Sequence, residues 1–213
     1  GQAFLQSTDT LETYSLQPDL IRPYTPVFGS SDSEFIVFVV SDLQCSACAV
    51  YDVVFREMEE EYKDRLRFGH IHYPVRSLHP HAEAAAYAAQ AAHLQGFYLE
   101  FTGLVYTNQA LLFSQGSKIL ETWVEQIEGL DIDTWNRDRH SSQIQQQVRF
   151  AKRDIDEMVL PGDKNSLNQP GKPSGQVVGT PTTIIMRGEE VIAWWSGSTD
   201  ANFIRQEIEK LNQ

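Results

Sequence analysis

The chain has 213 residues, 41% of them hydrophobic and 22% charged, which is typical of a soluble globular protein and long enough for one domain with an insertion. Its formal net charge is -12 with 17 basic residues scattered along the chain, so a nucleic-acid partner is not expected. No apolar run approaches the roughly 18 residues of a membrane span and no signal-peptide pattern opens the chain, so we expect a soluble mature form.

The first half of the chain predicts a strand, a helix and a second strand. Residues 1–33 are rich in proline and polar residues and predict a loose lead-in with one short strand. The run from Phe35 to Val40 is apolar and β-branched, as in a central parallel strand buried on both faces. A long amphipathic helix then starts at Cys45, and "RLRFGHIHYPV" supplies the second strand, which completes a right-handed βαβ unit. The expected apolar face of the helix is Ala47, Val50, Tyr51, Val54, Met58, Tyr62 and Leu66.

The middle of the chain predicts helices. "HPHAEAAAYAAQAAHLQG" has Pro80 in a first helical turn, an alanine-rich body and Gly96 near its end. "FYLEFTGLVYTN" and "SKILETWVEQIEGL" predict two shorter helices. Asp133 is expected to cap one long helix that continues to Val159.

The last part of the chain predicts a long loop, a hairpin and a helix. The Pro161–Gln176 segment is a loop of unusual length, which predicts either a mobile or a functional segment. Because this loop leads directly into Gly179, Thr180 and Pro181, we expect its end to lie close to the cysteines and to border the active site. Pro181 directly precedes a strand and is expected to follow a cis peptide bond. Two strands should surround a turn at Gly188, and a final helix should begin at about Asp200.

The chain contains two cysteines, Cys45 and Cys48, separated by Ser46 and Ala47. Two cysteines are too few for a disulfide scaffold, but the C-x-x-C spacing is typical of redox chemistry. They stand at the start of a helix, where unpaired N–H groups and the helix dipole stabilise a thiolate. We therefore predict that Cys45 is the nucleophile, with a pKa of roughly 3.5 to 7.5, and that Cys48 is the resolving thiol.

Two other interpretations of the cysteines stay open from the residues alone. Free cysteine is often buried, so both could be small residues that pack in a helix. A zinc site would need two more ligands, which His70 and His72 could supply, although structural zinc cysteines normally lie on tight knuckles. His79 and His81 are interpreted simply as polar residues at a helix start.

Three segments together resemble the DsbA-like branch of the thioredoxin superfamily, and the resemblance covers the chain from about Pro26 to the C-terminus. "VFGSSDSEFIVFVVSDLQCSAC" is similar to the family's glycine, strand and Asp-x-x-Cys-x-x-Cys. "LHPHAEAAAYAAQAAHLQGFYLEF" is similar to the opening of its inserted helical domain, and "GTPTTII" to its cis-proline loop. The resemblance implies an α/β protein with a thioredoxin fold and an inserted helical domain.

The resemblance also implies a division of the chain into parts. Residues 1–33 would form the lead-in, residues 34–78 and 175–213 the thioredoxin-like domain, and residues 79–174 the helical insertion with its connecting loop.

The activity that the resemblance implies is protein thiol-disulfide exchange through Cys45 and Cys48, with a DsbA-like oxidase favoured over a reductase or isomerase. Substrates would be proteins with thiols or disulfides, and a redox partner protein could be membrane-bound. The expected location is extracytoplasmic, in the periplasm or cell envelope, with no metal or organic cofactor. A non-catalytic thioredoxin-fold binding module or chaperone is the alternative from another class.

The resemblance assigns a substrate-binding loop and three neighbours to the cysteines. The loop is Gly179, Thr180 and Pro181, and the neighbours are Ser46, Ala47 and Asp42. The family often has proline after the first cysteine and histidine before the second, where this chain has Ser46 and Ala47. An acidic residue common six positions before the first cysteine is replaced by Val39, and the nearest acid is Asp42.

Overall fold

The computed structural model describes residues 18–158, 160 and 179–212. Five strands lie in these ranges: β1 (Val27–Gly29), β2 (Phe35–Ser41), β3 (Arg67–His72), β4 (Thr182–Arg187) and β5 (Glu190–Ser196). The α-helices in the same ranges are α1 (Ser46–Tyr62), α2 (Ala82–Leu94), α3 (Tyr98–Thr107), α4 (Gln109–Gln115), α5 (Ile119–Val124), α6 (Ile132–Arg139), α7 (Ser142–Glu157) and α8 (Ala201–Glu209). Short 3₁₀ helices occupy Gly116–Lys118 and Lys210–Asn212.

The strands form one mixed sheet in the order β1-β3-β2-β4-β5. β2 lies at its centre, parallel to β3 and antiparallel to β4, whereas β1 and β5 pair antiparallel at the edges. The first six residues of β2 are buried, which fits a strand covered on both faces. The predicted central strand, its parallel partner and the terminal hairpin are confirmed.

Alternate residues of β2 enter two different parts of the core. Val37 and Val39 pack with α1 and α8, and this side includes the buried aromatic residue Phe55. Ile36, Phe38 and Val40 face the other way and pack with the end of α7. The sheet is therefore covered by helices on both faces, with β2 and the residues that follow it held firmly between them.

A third part of the core lies among the helices that separate β3 from β4. The alanines of α2 other than Ala84 are almost completely buried and allow close helix packing. Trp135 of α6 is also fully buried, and its indole Nε1 donates to the carbonyl oxygen of Ala88 at 3.0 Å. The predicted alanine-rich packing helix is confirmed, and it ends before Gly96, whose φ of 85° suits glycine.

The apolar face of α1 differs from the predicted face. The buried stripe of the helix contains Cys48, Tyr51, Phe55, Met58 and Tyr62. The predicted face was wrong at Ala47, which is exposed, and at Val50, which is 64% exposed. Each residue turns the helix by about 100°, so the predicted set combined two adjacent stripes, of which one faces the sheet.

The single long helix expected from Asp133 is two helices, so this prediction was wrong. The Asp131 carboxylate accepts from the Thr134 N–H at 3.0 Å and caps α6, which places Asp133 within the first turn. The Ser141 hydroxyl accepts from the Ile144 N–H at 3.3 Å and caps α7. A second N-cap thus starts a separate helix. Helix α4 is an additional helix that the sequence pattern did not predict.

The C-terminal hairpin and helix lie as predicted. Arg187 pairs with Glu190 across the turn, where Gly188 adopts a φ of 59°. The Asp200 carboxylate accepts from the Phe203 N–H at 2.9 Å and caps α8. The loop at 161–176 and residue Val159 lie outside the described residues, and the three-part domain division stays a prediction.

Candidate functional site

The two cysteines lie just beyond the carboxyl end of β2. Residues 42–44 form a tight turn in which the Cys45 N–H donates to the Asp42 carbonyl at 3.0 Å. Cys45 is the N-cap residue of α1, and its carbonyl accepts the first helical bond from the Ala49 N–H at 3.2 Å. Both cysteines are free thiols, with Cys45 9% exposed and Cys48 2% exposed. The outer thiol is therefore Cys45.

The Gly179–Pro181 turn faces Cys45 from the start of β4. The Thr180–Pro181 peptide bond is cis, and the Cys45 Sγ lies 3.7 Å from the Thr180 carbonyl oxygen. The Gly179 carbonyl accepts from the Thr182 hydroxyl at 2.6 Å. The Pro181 carbonyl accepts from the Gly197 N–H at 2.7 Å. Pairing of β4 with β2 thus brings this turn next to a thiol that precedes it by 135 residues.

The two thiols have opposite acidities. The pKa of Cys45 is lowered to about 5, chiefly by hydrogen bonding from the Cys48 side chain, with help from the Thr180 side chain and the N–H groups of Cys48 and Ala47. Burial of Cys45 opposes this shift without cancelling it. The pKa of Cys48 is raised far above its usual value, first by burial and then by its bond to Cys45 and the Cys45 charge. At neutral pH the pair carries one thiolate, at Cys45.

The Asp42 carboxylate fixes the turn that precedes Cys45. It is completely buried and accepts the Gln44 N–H at 2.8 Å, the Val75 N–H at 2.7 Å and Nδ1 of His79 at 2.8 Å. Sequence reasoning named Asp42 as a neighbour of the cysteines but interpreted His79 as a polar residue at a helix start. That interpretation missed its contact with Asp42, because the two residues are 37 positions apart.

Gln109 is a second site residue that the sequence did not reveal. It is buried, and its Nε2 donates to the carbonyls of Leu43 at 2.8 Å and Cys45 at 2.9 Å. The one available signal was an amide within the largely apolar segment "QALLF" of α4. The chain between β3 and β4 therefore contacts the cysteine turn directly, through Gln109 of α4 and through the segment before α2 that contains His79.

The residues between the cysteines are exposed. Ser46 and Ala47 lie in the first turn of α1, on the open side of Cys45. On the buried side, the Tyr51 hydroxyl lies 2.7 Å from the Thr183 hydroxyl and accepts from Nε1 of Trp195 at 3.3 Å. Val39 is buried in the adjoining core. The site is thus open toward Ser46 and Ala47 and rigidly packed beneath.

His70 and His72 lie in a buried aromatic cluster centred on Tyr98. Their ring centroids are 5.2 and 5.8 Å from the Tyr98 ring, and Nε2 of His70 is 3.0 Å from Oε1 of Glu59. Burial, followed by the charge of His70, lowers the pKa of His72 to about 3. Within residues 18–158, 160 and 179–212, no group of three or more His, Cys, Asp or Glu side chains could hold a metal ion.

The family model described as thioredoxin matches residues 22–196, so the chain belongs to the thioredoxin family. Curated relatives include a protein named Na(+)/H(+) antiporter NhaA 1 from Mycolicibacterium gilvum, 31% identical over 169 residues, which cover 75% of this chain and 26% of that protein. A protein of the same name from Salinispora arenicola is 30% identical over 142 residues, which cover 65% and 21% of the two chains. The chain thus spans about a quarter of the length of the curated relatives it matches.

Solved structures with the same fold include two proteins from Wolbachia pipientis. α-DsbA1 matches with a TM-score of 0.70 and 16% identity over 93% of this chain and 94% of its own. α-DsbA2 matches with a TM-score of 0.70 and 20% identity over 97% and 98%. Oxidised BdbD from Bacillus subtilis matches with a TM-score of 0.68 and 16% identity over 91% and 95%. The predicted DsbA-like thioredoxin fold is confirmed.

Proposed function

We propose that the protein is a protein thiol-disulfide oxidoreductase in which Cys45 is the nucleophile and Cys48 the resolving thiol. The observation that carries this proposal is the opposite pKa shift of two thiols one helical turn apart, to about 5 at Cys45 and strongly upward at Cys48. A buried structural cysteine pair has no need of such a difference. An exchange enzyme requires one accessible thiolate and one thiol held in reserve.

The chemistry needs two thiols and a substrate. In the reducing direction, the Cys45 thiolate attacks a substrate disulfide, forms a mixed disulfide and releases one substrate thiolate. Cys48 then loses its proton to solvent or to the departing thiolate, attacks the Cys45 sulfur and releases the second substrate thiolate. Two electrons pass from the cysteine pair to the substrate. In the oxidising direction the same steps run backwards, starting from the Cys45–Cys48 disulfide, and require neither metal nor organic cofactor.

Oxidation of substrates is the favoured direction. Stabilising the Cys45 thiolate stabilises the reduced form of the pair, and a stabilised reduced form makes the disulfide a stronger oxidant. A pKa of about 5 at Cys45 therefore supports a DsbA-like oxidase over a reductase or isomerase. A reductase or an isomerase would use the same residues as an oxidase, so the redox potential is the property that distinguishes the three activities.

Protein substrates are proposed to bind along the Gly179–Pro181 turn. The carbonyls of Gly179 and Pro181 accept hydrogen bonds from the protein, whereas the Thr180 carbonyl accepts a long hydrogen bond from the Cys45 thiol at 3.7 Å, which is lost when Cys45 is a thiolate. An extended substrate segment could pair with the main chain of Thr180 and so bring its sulfur to Cys45. Ser46 and Ala47 would border the bound segment from the exposed side. Main-chain recognition of this kind suits an enzyme that accepts many sequences.

The location and partners follow from the direction of electron flow. A disulfide-forming enzyme works in an oxidising compartment, so we propose an extracytoplasmic location, in the periplasm or cell envelope, and a redox partner protein, membrane-bound or free, that reoxidises the cysteines. In the described part of the chain, no helix is long and apolar enough to cross a membrane. Because the family model covers residues 22–196, we propose that the antiporter relatives share a thioredoxin-like segment with this chain, and the proposed function does not include ion transport.

A redox titration tests the proposal. The Cys45–Cys48 pair is equilibrated with glutathione buffers, and its potential is expected between about -200 and -120 mV, the range of oxidising members of the superfamily. The protein should also oxidise a reduced, unfolded model substrate, and Cys45→Ser should abolish this. A potential of about -270 mV together with rapid insulin reduction would instead identify a reductase. No exchange in either direction would reject the enzyme and favour a binding module.

A further inference from the structure

Asp42 contacts both cysteines through its main chain. Its carbonyl accepts the Cys45 N–H at 3.0 Å. Its main-chain N–H interacts with the Cys48 sulfur and lowers the pKa of that thiol, against the larger effect of burial. A small displacement of Asp42 would therefore move the donors and acceptors around both sulfurs together.

The Asp42 side chain is tied to a segment that begins the helical part of the chain. Its Oδ2 accepts from the Val75 N–H at 2.7 Å and lies 2.8 Å from Nδ1 of His79. Gln44, two residues on, accepts the His81 N–H at 2.8 Å through its side-chain oxygen. Residues 75–81 thus hold the cysteine turn by three hydrogen bonds, of which one uses the His79 side chain.

His79 is well placed to hold a buried carboxylate. Its side chain is 19% exposed, whereas that of Asp42 is 0% exposed, so the imidazole closes the solvent side of the Asp42 carboxylate. Phe113 of α4 packs edge-on against the imidazole, with ring centroids 6.5 Å apart. A hydrogen bond to an ionised, buried group is stronger than one between neutral partners, so its loss would loosen the turn appreciably.

We propose that Asp42 and His79 are positioning residues for the thiol chemistry, in which the imidazole holds the Asp42 carboxylate and thereby fixes the geometry of the Cys45 turn. This inference rests on the proposed function and deepens it, since it gives the helical segment a part in the reactivity of Cys45. Neither side chain need contact the substrate. Removing the imidazole should weaken the alignment of the helix N-terminus with the Cys45 sulfur and leave the Asp42 charge less compensated, and both effects disfavour the thiolate.

The test compares three substitutions of His79 in a Cys48→Ser background, where Cys45 is the single thiol. His79→Ala removes the imidazole. His79→Asn places an amide N–H close to the position of Nδ1, whereas His79→Gln carries its amide farther out. His140→Ala is the control, because His140 is exposed and its Nδ1 contacts the Asn136 carbonyl of its own helix at 2.7 Å.

Three readouts are measured for each variant: ultraviolet absorbance of the thiolate against pH, the rate of Cys45 alkylation, and unfolding in urea. We expect His79→Ala and His79→Gln to raise the pKa of Cys45 by roughly one pH unit and to slow alkylation about threefold at a pH midway between the two pKa values. His79→Asn should keep the pKa of Cys45 close to that of the Cys48→Ser parent protein, and His140→Ala should have the same Cys45 pKa as that parent.

A folded His79→Ala protein with an unchanged Cys45 titration would overturn the proposal, even if its stability to urea had fallen. If His79→Ala does not fold, His79→Gln decides the matter by the same criterion. The titration and alkylation readouts do not require disulfide exchange. The two proposals can therefore fail separately. If the wild-type protein exchanges no disulfides but the His79 substitutions still raise the pKa of Cys45, the proposed function is contradicted and the positioning role of His79 stands.

Discussion

The side-chain amide of Gln109 donates to the main-chain carbonyl of Cys45 at 2.9 Å and to that of Leu43 at 2.8 Å. The carbonyl groups of a turn before a helix are otherwise difficult to satisfy in a buried position. This contact joins α4 to the turn from which α1 begins, although 64 residues separate Gln109 from Cys45.

Replacing Gln109 with leucine should destabilise the protein, because leucine has a similar volume but removes the donor to the buried Leu43 carbonyl and one of the two donors to the Cys45 carbonyl, which still accepts from the Ala49 N–H. The expected loss in the free energy of unfolding is about 1 to 3 kcal/mol. Urea unfolding measures it, with Gln115→Leu as the control, since Gln115 is an exposed residue of the same helix. Equal stability of the two variants would show that the Gln109 amide has no anchoring role.

The low pKa of Cys45 should depend on the group at position 48. The Cys48 side chain is the largest cause of the shift to about 5, so Cys48→Ala should raise the pKa of Cys45. Cys48→Ser retains a hydroxyl donor and should keep the pKa of Cys45 lower than Cys48→Ala does. Thiolate absorbance followed against pH distinguishes the two variants. An identical pKa in both would mean that hydrogen bonding from the side chain at position 48 does not stabilise the thiolate.

Thr180 should contribute a smaller share of the same shift. Its side chain lowers the pKa of Cys45, so Thr180→Val, which replaces the hydroxyl with a methyl group, should raise that pKa. Thr180→Ser retains the hydroxyl and serves as the matched control. The redox potential should become less oxidising in Thr180→Val, because its thiolate is less stabilised. Indistinguishable titrations of the valine and serine variants would count against a role for the hydroxyl.

The buried imidazole of His72 should make the protein sensitive to acid. Burial lowers its pKa to about 3 in the folded state, whereas the unfolded chain has the ordinary value of 6.5. Below about pH 6.5 the unfolded state binds a proton that the folded state does not, so stability falls as the pH falls toward 3. The contribution of His72 to this slope is at most about 1.4 kcal/mol per pH unit.

Urea unfolding at several pH values between about 7 and 4 tests this prediction. His72→Leu should lose stability more slowly on acidification than wild type, while the exposed His140→Ala variant should follow wild type. Carboxylates titrate in the same range, so the informative quantity is the difference in slope between His72→Leu and His140→Ala. Parallel slopes would exclude His72 as a source of acid sensitivity.

The sequence predicted the parts of the fold that depend on short-range pattern. The apolar run of β2, the start of α1 at the cysteines and the turn at Gly188 each follow from residues within a few positions of one another. The predicted neighbours of the cysteines include Asp42, whose carbonyl accepts the Cys45 N–H. Local periodicity and capping chemistry carry this information directly.

The parts that the sequence did not predict depend on contacts between residues that are far apart in the sequence. The roles of His79 and Gln109 arise because the chain returns to the cysteine turn after several tens of residues, and no local pattern records that return. The error at Val50 has a different origin. Apolar residues occupy two adjacent stripes of α1, and the sheet covers one of them, so a periodicity argument alone cannot choose the buried face.

The helical segment begins after β3 and ends before β4, and these two strands flank β2, the strand that leads to the cysteines. His72, at the end of β3, pairs with Ser41, and Thr182, at the start of β4, pairs with Val40, so both junctions lie at the same end of β2. Two strand spacings put these junctions about 10 Å apart. A segment whose ends are so close can be lengthened, shortened or exchanged during evolution without any change in strand order. The bonds of His79 and Gln109 to the cysteine turn are then what a different insertion would have to reproduce in order to serve the same pair of thiols.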